Sequence, residues 1–170
     1  MPKIFVTHPI PRRGLDILVS KGFEVEVNPN ESVLPKEELI QKLKSGNYDA
    51  VICLLNDKID HEVLDAVGKN TKIFANYAVG FDNINIAEAA KRGIFISNTP
   101  NVLNESVAEL TFSLMLAIGR RIVEADKFMR AGKYKGWTPM LLLGDDISGK
   151  TLGIVGLGRI GSIVVKHAVK

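Results

Sequence analysis

Short β-branched runs alternate with stretches of helical period from residue 3 to about residue 98, a pattern that predicts repeated βα units. Strands are expected at residues 4–7, 23–27, 50–55, 72–76 and 94–97. Helices are expected between them at residues 11–21 and 35–45, then behind an Asp60 cap as far as Gly68, and at 86–92. Residues 23–27 alternate apolar and charged positions, as an edge or half-covered strand would. Strands and helices in strict alternation imply an α/β fold, a flavodoxin-like doubly wound parallel sheet.

The pattern changes after the turn cluster Asn98-Thr99-Pro100-Asn101, which marks a domain boundary near residue 100. The next helix, about 104–121, opens on Ser106-x-x-Glu109, a candidate capping box. Val107, Leu110, Leu114, Met115 and Ile118 form one apolar stripe, while Ala108, Phe112, Leu116 and Ala117 make the opposite face apolar too. Such a helix is expected to be covered by another domain or subunit. A further helix at about 122–131 ends at Gly132, and a loop over 133–150 leads to residues 151–155, which read as a short buried strand.

That run passes directly into Gly156-x-Gly158-x-x-Gly161 and then a helical pattern through Ile163, Val164 and Val165. Strand, glycine turn and helix in this order form a dinucleotide fingerprint. Gly156 permits the tight turn, Gly158 lets backbone approach a pyrophosphate, and Gly161 brings helix and strand close together. The helix N-terminus supplies free N–H groups and the positive end of its dipole. The acidic residue that holds the ribose belongs about 20 residues further on, after Lys170.

Composition narrows the function classes. Of 170 residues 46% are hydrophobic, enough for a sizeable core and too apolar for a disordered chain. Lys and Arg total 22 against 19 Asp and Glu, a net charge of +3, and they are scattered rather than gathered into a nucleic-acid footprint. The single cysteine, Cys53, lies in an apolar run and reads as a buried strand thiol. One cysteine and dispersed His8, His61 and His167 give no zinc spacing, and no histidine has a carboxylate at a spacing that marks an acid–base pair. The start of the chain enters a strand without the apolar region of a signal peptide, and no run reaches membrane-spanning length, so a cytoplasmic protein is expected.

Asn76-Tyr77-Ala78-Val79-Gly80-Phe81-Asp82-Asn83 follows the fourth strand, at the carboxyl end where open α/β sheets bind ligands. A positive φ at Gly80 would turn the amides of Val79 and Gly80 into one concavity able to hold a carboxylate. Leu55-Asn56-Asp57 holds the equivalent place after the third strand, with Leu55 as a packing wall.

With Ser97-Asn98-Thr99-Pro100, Ser106-Val107-Ala108-Glu109 and the stretch from Gly149 to Gly161, that segment makes the chain resemble the D-isomer-specific 2-hydroxyacid dehydrogenases, above all their glyoxylate and hydroxypyruvate reductase branch. The resemblance implies a substrate domain over 1–100 and an incomplete NAD(P)-binding domain over 101–170. It further implies a substrate carboxylate on Val79 and Gly80 beside Leu55, pyrophosphate at Gly156, Gly158, Arg159, Ile160 and Gly161, and Asn104 near the nicotinamide. NAD or NADP is the implied cofactor, with a homodimer formed through the 104–121 helix. The family's proton-donating histidine, its glutamate partner and its substrate arginine are expected beyond Lys170. No catalytic residue is therefore assigned, and the chain alone is expected to be inert. The neutral Asn76-Tyr77 favours glyoxylate or hydroxypyruvate over a phosphorylated acid. A non-catalytic module that pairs with a full-length partner is the alternative.

Overall fold

A computed structural model describes residues 1–169. The chain divides into two compact units, Met1–Val102 and Leu103–Lys170. The first runs β1 (Lys3–Val6), α1 (Arg12–Ser20), β2 (Glu24–Val27), α2 (Lys36–Gly46), β3 (Ala50–Cys53), α3 (His61–Ala66), β4 (Ile73–Asn76), α4 (Ile86–Lys91) and β5 (Phe95–Ser97). Its strands form one five-stranded parallel sheet in the order β2-β1-β3-β4-β5. This is the flavodoxin-like order expected from the alternation.

Register explains which side chains reach the core. Ile4 pairs with Val25 and Ala50, Val51 with Phe74, and Cys53 with Asn76. Phe5, Val51, Cys53 and Phe74 are shut off from water, packed in one cluster with Leu39 and Leu43 of α2 and Val63 and Leu64 of α3. A fully buried side chain of this kind contributes about 1.5–3 kcal/mol. β2 is the half-covered edge that its Glu24 and Glu26 announced, with no residue fully buried.

Tyr48 closes the β2 side of this core. Its ring stacks on Phe5 at 5.1 Å between centroids, and its hydroxyl donates to Glu26 Oε2 at 2.8 Å. Lys42 and Lys3 also hold Glu26, and the hydrogen bond from Lys42 leads in drawing its carboxyl down to about 2. Asp60 caps α3 as expected, accepting from Val63 N at 3.4 Å, and its carboxylate also accepts from Lys36 Nζ at 2.7 Å. α3 ends at Ala66, two residues before Gly68, because Val67 is already extended.

The second unit holds α5 (Asn104–Gly119), α6 (Ile122–Arg130) and α7 (Arg159–Ala168). α5 packs against α7, where Phe112 stacks on the His167 ring at 6.1 Å and Glu105 reaches His167 Nε2 at 3.4 Å. Two sequence expectations fail in this unit. Ser106 is not a cap: α5 already begins at Asn104, which puts Ser106 inside its first turn. Residues 151–155 form no strand, since no strand lies beside them among the described residues. A strand is held by its neighbour's ladder, not by its own propensity.

Within this chain α5 leaves most of its apolar side chains open. Ala108 is its one buried residue, and Leu110, Leu114, Leu116 and Ile118 are exposed.

Candidate functional site

The carboxyl ends of β3 and β4 carry two loops, 54–57 and 77–83, and β1 ends beside them. Because β1 lies next to β3, Thr7 and His8 come against Asp57, about fifty positions away in sequence. Asp57 is buried; its Oδ2 accepts from Thr7 Oγ1 at 2.5 Å and from Leu54 N at 2.8 Å, and its Oδ1 lies 3.1 Å from His8 Nε2. His8 therefore does have a carboxylate partner, contrary to the sequence expectation, because strand order rather than sequence spacing brings them together. Both groups are shielded from water, so the contact organises the loop from below.

Asn83 ties the two loops to each other. Its Nδ2 donates to the carbonyls of Leu54 and Asp57, both at 3.0 Å. Asn83 Oδ1 accepts from Asn76 Nδ2 at 3.1 Å. Asn76 is itself buried at the end of β4, with its side-chain amide committed to Asn83 and the Gly80 carbonyl. Tyr77, the next residue, is exposed, as is Leu55 at the tip of the other loop. Cys53 is the buried thiol expected; it donates to Asn76 Oδ1 at 3.5 Å, and burial pushes it up to about 12.

The loop from Ala78 to Phe81 shows how the backbone is presented. The carbonyl of Ala78 accepts from Thr99 N at 2.9 Å, that of Val79 from Asn98 Nδ2 at 2.8 Å, and that of Gly80 from Asn76 Nδ2 at 2.9 Å. All peptides are trans. In a planar trans peptide the carbonyl and the following N–H point in opposite directions. The amides of Val79, Gly80 and Phe81 therefore turn away from the donors below, and none has a hydrogen-bond partner among the described residues.

Gly80 does not adopt the positive φ expected of it. Side-chain and backbone donors orient these peptides instead. A Cβ at Gly80 would meet nothing nearer than Asp82 Oδ2 at 3.9 Å, so the space where a Gly80 side chain would stand is open.

In the second unit the glycine turn has the form its spacing predicts. Gly156 has φ +91°, and a Cβ on Gly161 would fall 2.2 Å from the Gly156 carbonyl oxygen, so only glycine permits the approach. Gly158 stands at the N-cap of α7 without a side-chain cap, and no acidic residue occupies the first turn. The first bond of α7 runs from Ser162 N to Gly158 O at 2.9 Å, which leaves the amides of Arg159, Ile160 and Gly161 available to an anion. A Cβ on Gly158 would meet no atom within 4 Å, so backbone there is open to close approach. Asn104 opens α5, half-buried.

The sequence motifs contained Asp57, Asn83 and Asn98 but gave them no role; the structure shows them bonding the loops around Val79 and Gly80. The signal available for these three was only their position in loops after successive strands.

Residues 4–162 match the family model of the D-isomer specific 2-hydroxyacid dehydrogenase, catalytic domain. A glyoxylate reductase of Thermococcus gammatolerans is 45% identical over 171 residues, covering 98% of this chain and 50% of the relative. A Thermus thermophilus protein of known crystal structure superposes with a TM-score of 0.91 at 43% identity, over 98% of this chain and 52% of that one. An NADPH-dependent glyoxylate/hydroxypyruvate reductase from Sinorhizobium meliloti, solved with NADP and malonate, gives 0.76 at 29% identity, over 98% of this chain and 49% of that one. The chain thus spans about half the length of the relatives it matches.

Proposed function

This chain belongs to the D-isomer specific 2-hydroxyacid dehydrogenase family, and from that premise we propose that it is part of an oxidoreductase moving hydride between a nicotinamide cofactor and a small 2-keto or 2-hydroxy acid. Glyoxylate and hydroxypyruvate are the substrates of choice. The observation that carries this reading is the row of amides at Val79, Gly80 and Phe81, none with a hydrogen-bond partner among the described residues and each on the far side of its peptide from an anchored carbonyl. A substrate carboxylate accepts from those amides, and charge-assisted bonds of this kind are about twice as strong as neutral ones. Leu55 and Tyr77, both exposed at the ends of their strands, supply apolar surface for the rest of a small molecule.

The residues around Gly156 fit a dinucleotide. The amides of Arg159, Ile160 and Gly161 would hold its pyrophosphate at the α7 N-terminus, with Gly158 allowing the approach and Asn104 assigned to the nicotinamide end. NADH or NADPH, when bound, would supply the hydride that reduces the keto acid, and NAD or NADP would accept it in the reverse direction. The protein's own contribution from this chain is to bind and orient the acid; the proton donor and the substrate arginine are assigned to the half of the relatives' length that this chain does not span, and no turnover is expected of the 170 residues by themselves.

Assembly as a homodimer through α5 is part of the same proposal, since its exposed Leu110, Leu114 and Ile118 are the kind of apolar patch that marks an interface. A cytoplasmic setting without nucleic-acid or membrane partners completes it. Among the described residues no helix is long and apolar enough to cross a membrane.

The test is a reductase assay on a full-length polypeptide carrying this sequence. Glyoxylate-dependent oxidation of NADH or NADPH is expected, together with none from the 170-residue chain. A folded full-length protein that binds either cofactor yet reduces neither glyoxylate nor hydroxypyruvate would overturn the proposal.

A further inference from the structure

We infer that Asn98 is a positioning residue for anion binding, acting with Asn76 through the backbone rather than by touching the ligand, and that the Phe81 amide is a donor in the same cradle. The inference rests on the carboxylate reading given above and extends it to the groups that aim the donors.

Three consecutive carbonyls, of Ala78, Val79 and Gly80, are each held by a different donor: Thr99 N, Asn98 Nδ2 and Asn76 Nδ2. A peptide in an exposed loop can rotate as a plane, carrying its carbonyl and N–H together. With its carbonyl anchored it cannot, and its N–H stays aimed outward. The Gly80 amide is thus set by Asn98, and the Phe81 amide by Asn76.

The two side chains differ in how firmly they are seated. Asn76 is buried, and its amide nitrogen also donates to Asn83 Oδ1 at 3.1 Å, so its loss disturbs the whole loop junction. Asn98 lies just past the end of β5, is half-buried, and its side-chain amide donates to Val79 O. Removing its amide group frees one peptide and leaves the core intact. Gly80 strengthens the effect, since a glycine lacks the side chain that would restrain its backbone once the carbonyl is released.

Without Asn98 the Val79–Gly80 peptide samples both orientations, and the carboxylate loses one of its donors for much of the time. The cost is that of one charge-assisted hydrogen bond, a weakening of about tenfold in affinity.

The test uses the 170-residue chain, labelled with nitrogen-15 and titrated with glycolate, alongside its neutral counterpart glycolamide. In the parent, glycolate is expected to shift the amide signals of Val79, Gly80 and Phe81 saturably, and glycolamide to leave them in place. Asn98→Ala is expected to raise the glycolate dissociation constant about tenfold with a dispersed spectrum, and Asn98→Ser to give the same result should the alanine variant lose its fold. Equal glycolate affinity in parent and folded variant overturns the positioning role of Asn98 while leaving the carboxylate reading standing. A parent whose three amides respond to neither probe overturns both, and a response confined to Val79 and Gly80 removes Phe81 from the cradle.

Discussion

Asp57 shows how much one side chain can organise here. Its carboxylate accepts from Thr7, Leu54 N and the His8 side, and its own carbonyl accepts from Asn83. Asp57→Ala leaves several buried polar groups without a partner, each costing about 1–3 kcal/mol. A drop of at least that size is expected in the unfolding free energy from urea titration, and Asp57→Asn, which keeps the shape and some acceptor capacity, should lose less. Glu26 gives the pH dependence. Its carboxyl lies at about 2, below its ordinary 4.5, chiefly through Lys42. A carboxyl lowered on folding lends stability that is complete above the unfolded value and disappears as pH falls toward the folded one. The midpoint of thermal unfolding should therefore fall between pH 4.5 and about 2, and Glu26→Gln should flatten that limb; an unchanged acid limb in the variant would assign it to other carboxylates.

Among the elements, β1 to β5 and α1 to α4 were readable from periodicity, because each strand finds its neighbours within the first unit and the local pattern agrees with the packing. Residues 151–155 show the opposite: the run Leu152-Gly153-Ile154-Val155 has strand character, yet without an adjacent strand among the described residues it has no ladder to join. The capping box at Ser106 failed for a local reason, as α5 begins two residues earlier, just past Asn101 at φ +69°. Contacts such as His8–Asp57 and Asn98–Val79 were hidden because they cross between loops whose proximity depends on strand order. The glycine turn was readable residue by residue. Gly161→Val is expected to break it, since even a Cβ would lie 2.2 Å from the Gly156 carbonyl oxygen. In a full-length polypeptide the variant should lose cofactor binding, followed by nicotinamide fluorescence, by about tenfold or more if helix-terminal amides hold the pyrophosphate; wild-type affinity would remove that role.

For the molecule as a whole, each unit has one run of amides without a hydrogen-bond partner among the described residues, at 79–81 in the first and 159–161 in the second. That duality matches a reaction needing both a carboxylate acid and a dinucleotide. Leu110, Leu114 and Ile118 of α5 are exposed in this chain, the observation behind the proposed homodimer. Sedimentation of the 170-residue chain should show self-association that Leu114→Glu reduces, whereas a parent monomeric at every concentration would count against the α5 interface. The most direct measurement of the central claim compares glyoxylate with its neutral amide as substrates of a full-length polypeptide carrying this sequence, at saturating NADH or NADPH. If outward amides bind the acid through its charge, kcat/KM for glyoxylate should exceed that for the amide by about 100-fold; equal turnover of the two, or turnover of neither, would contradict the account.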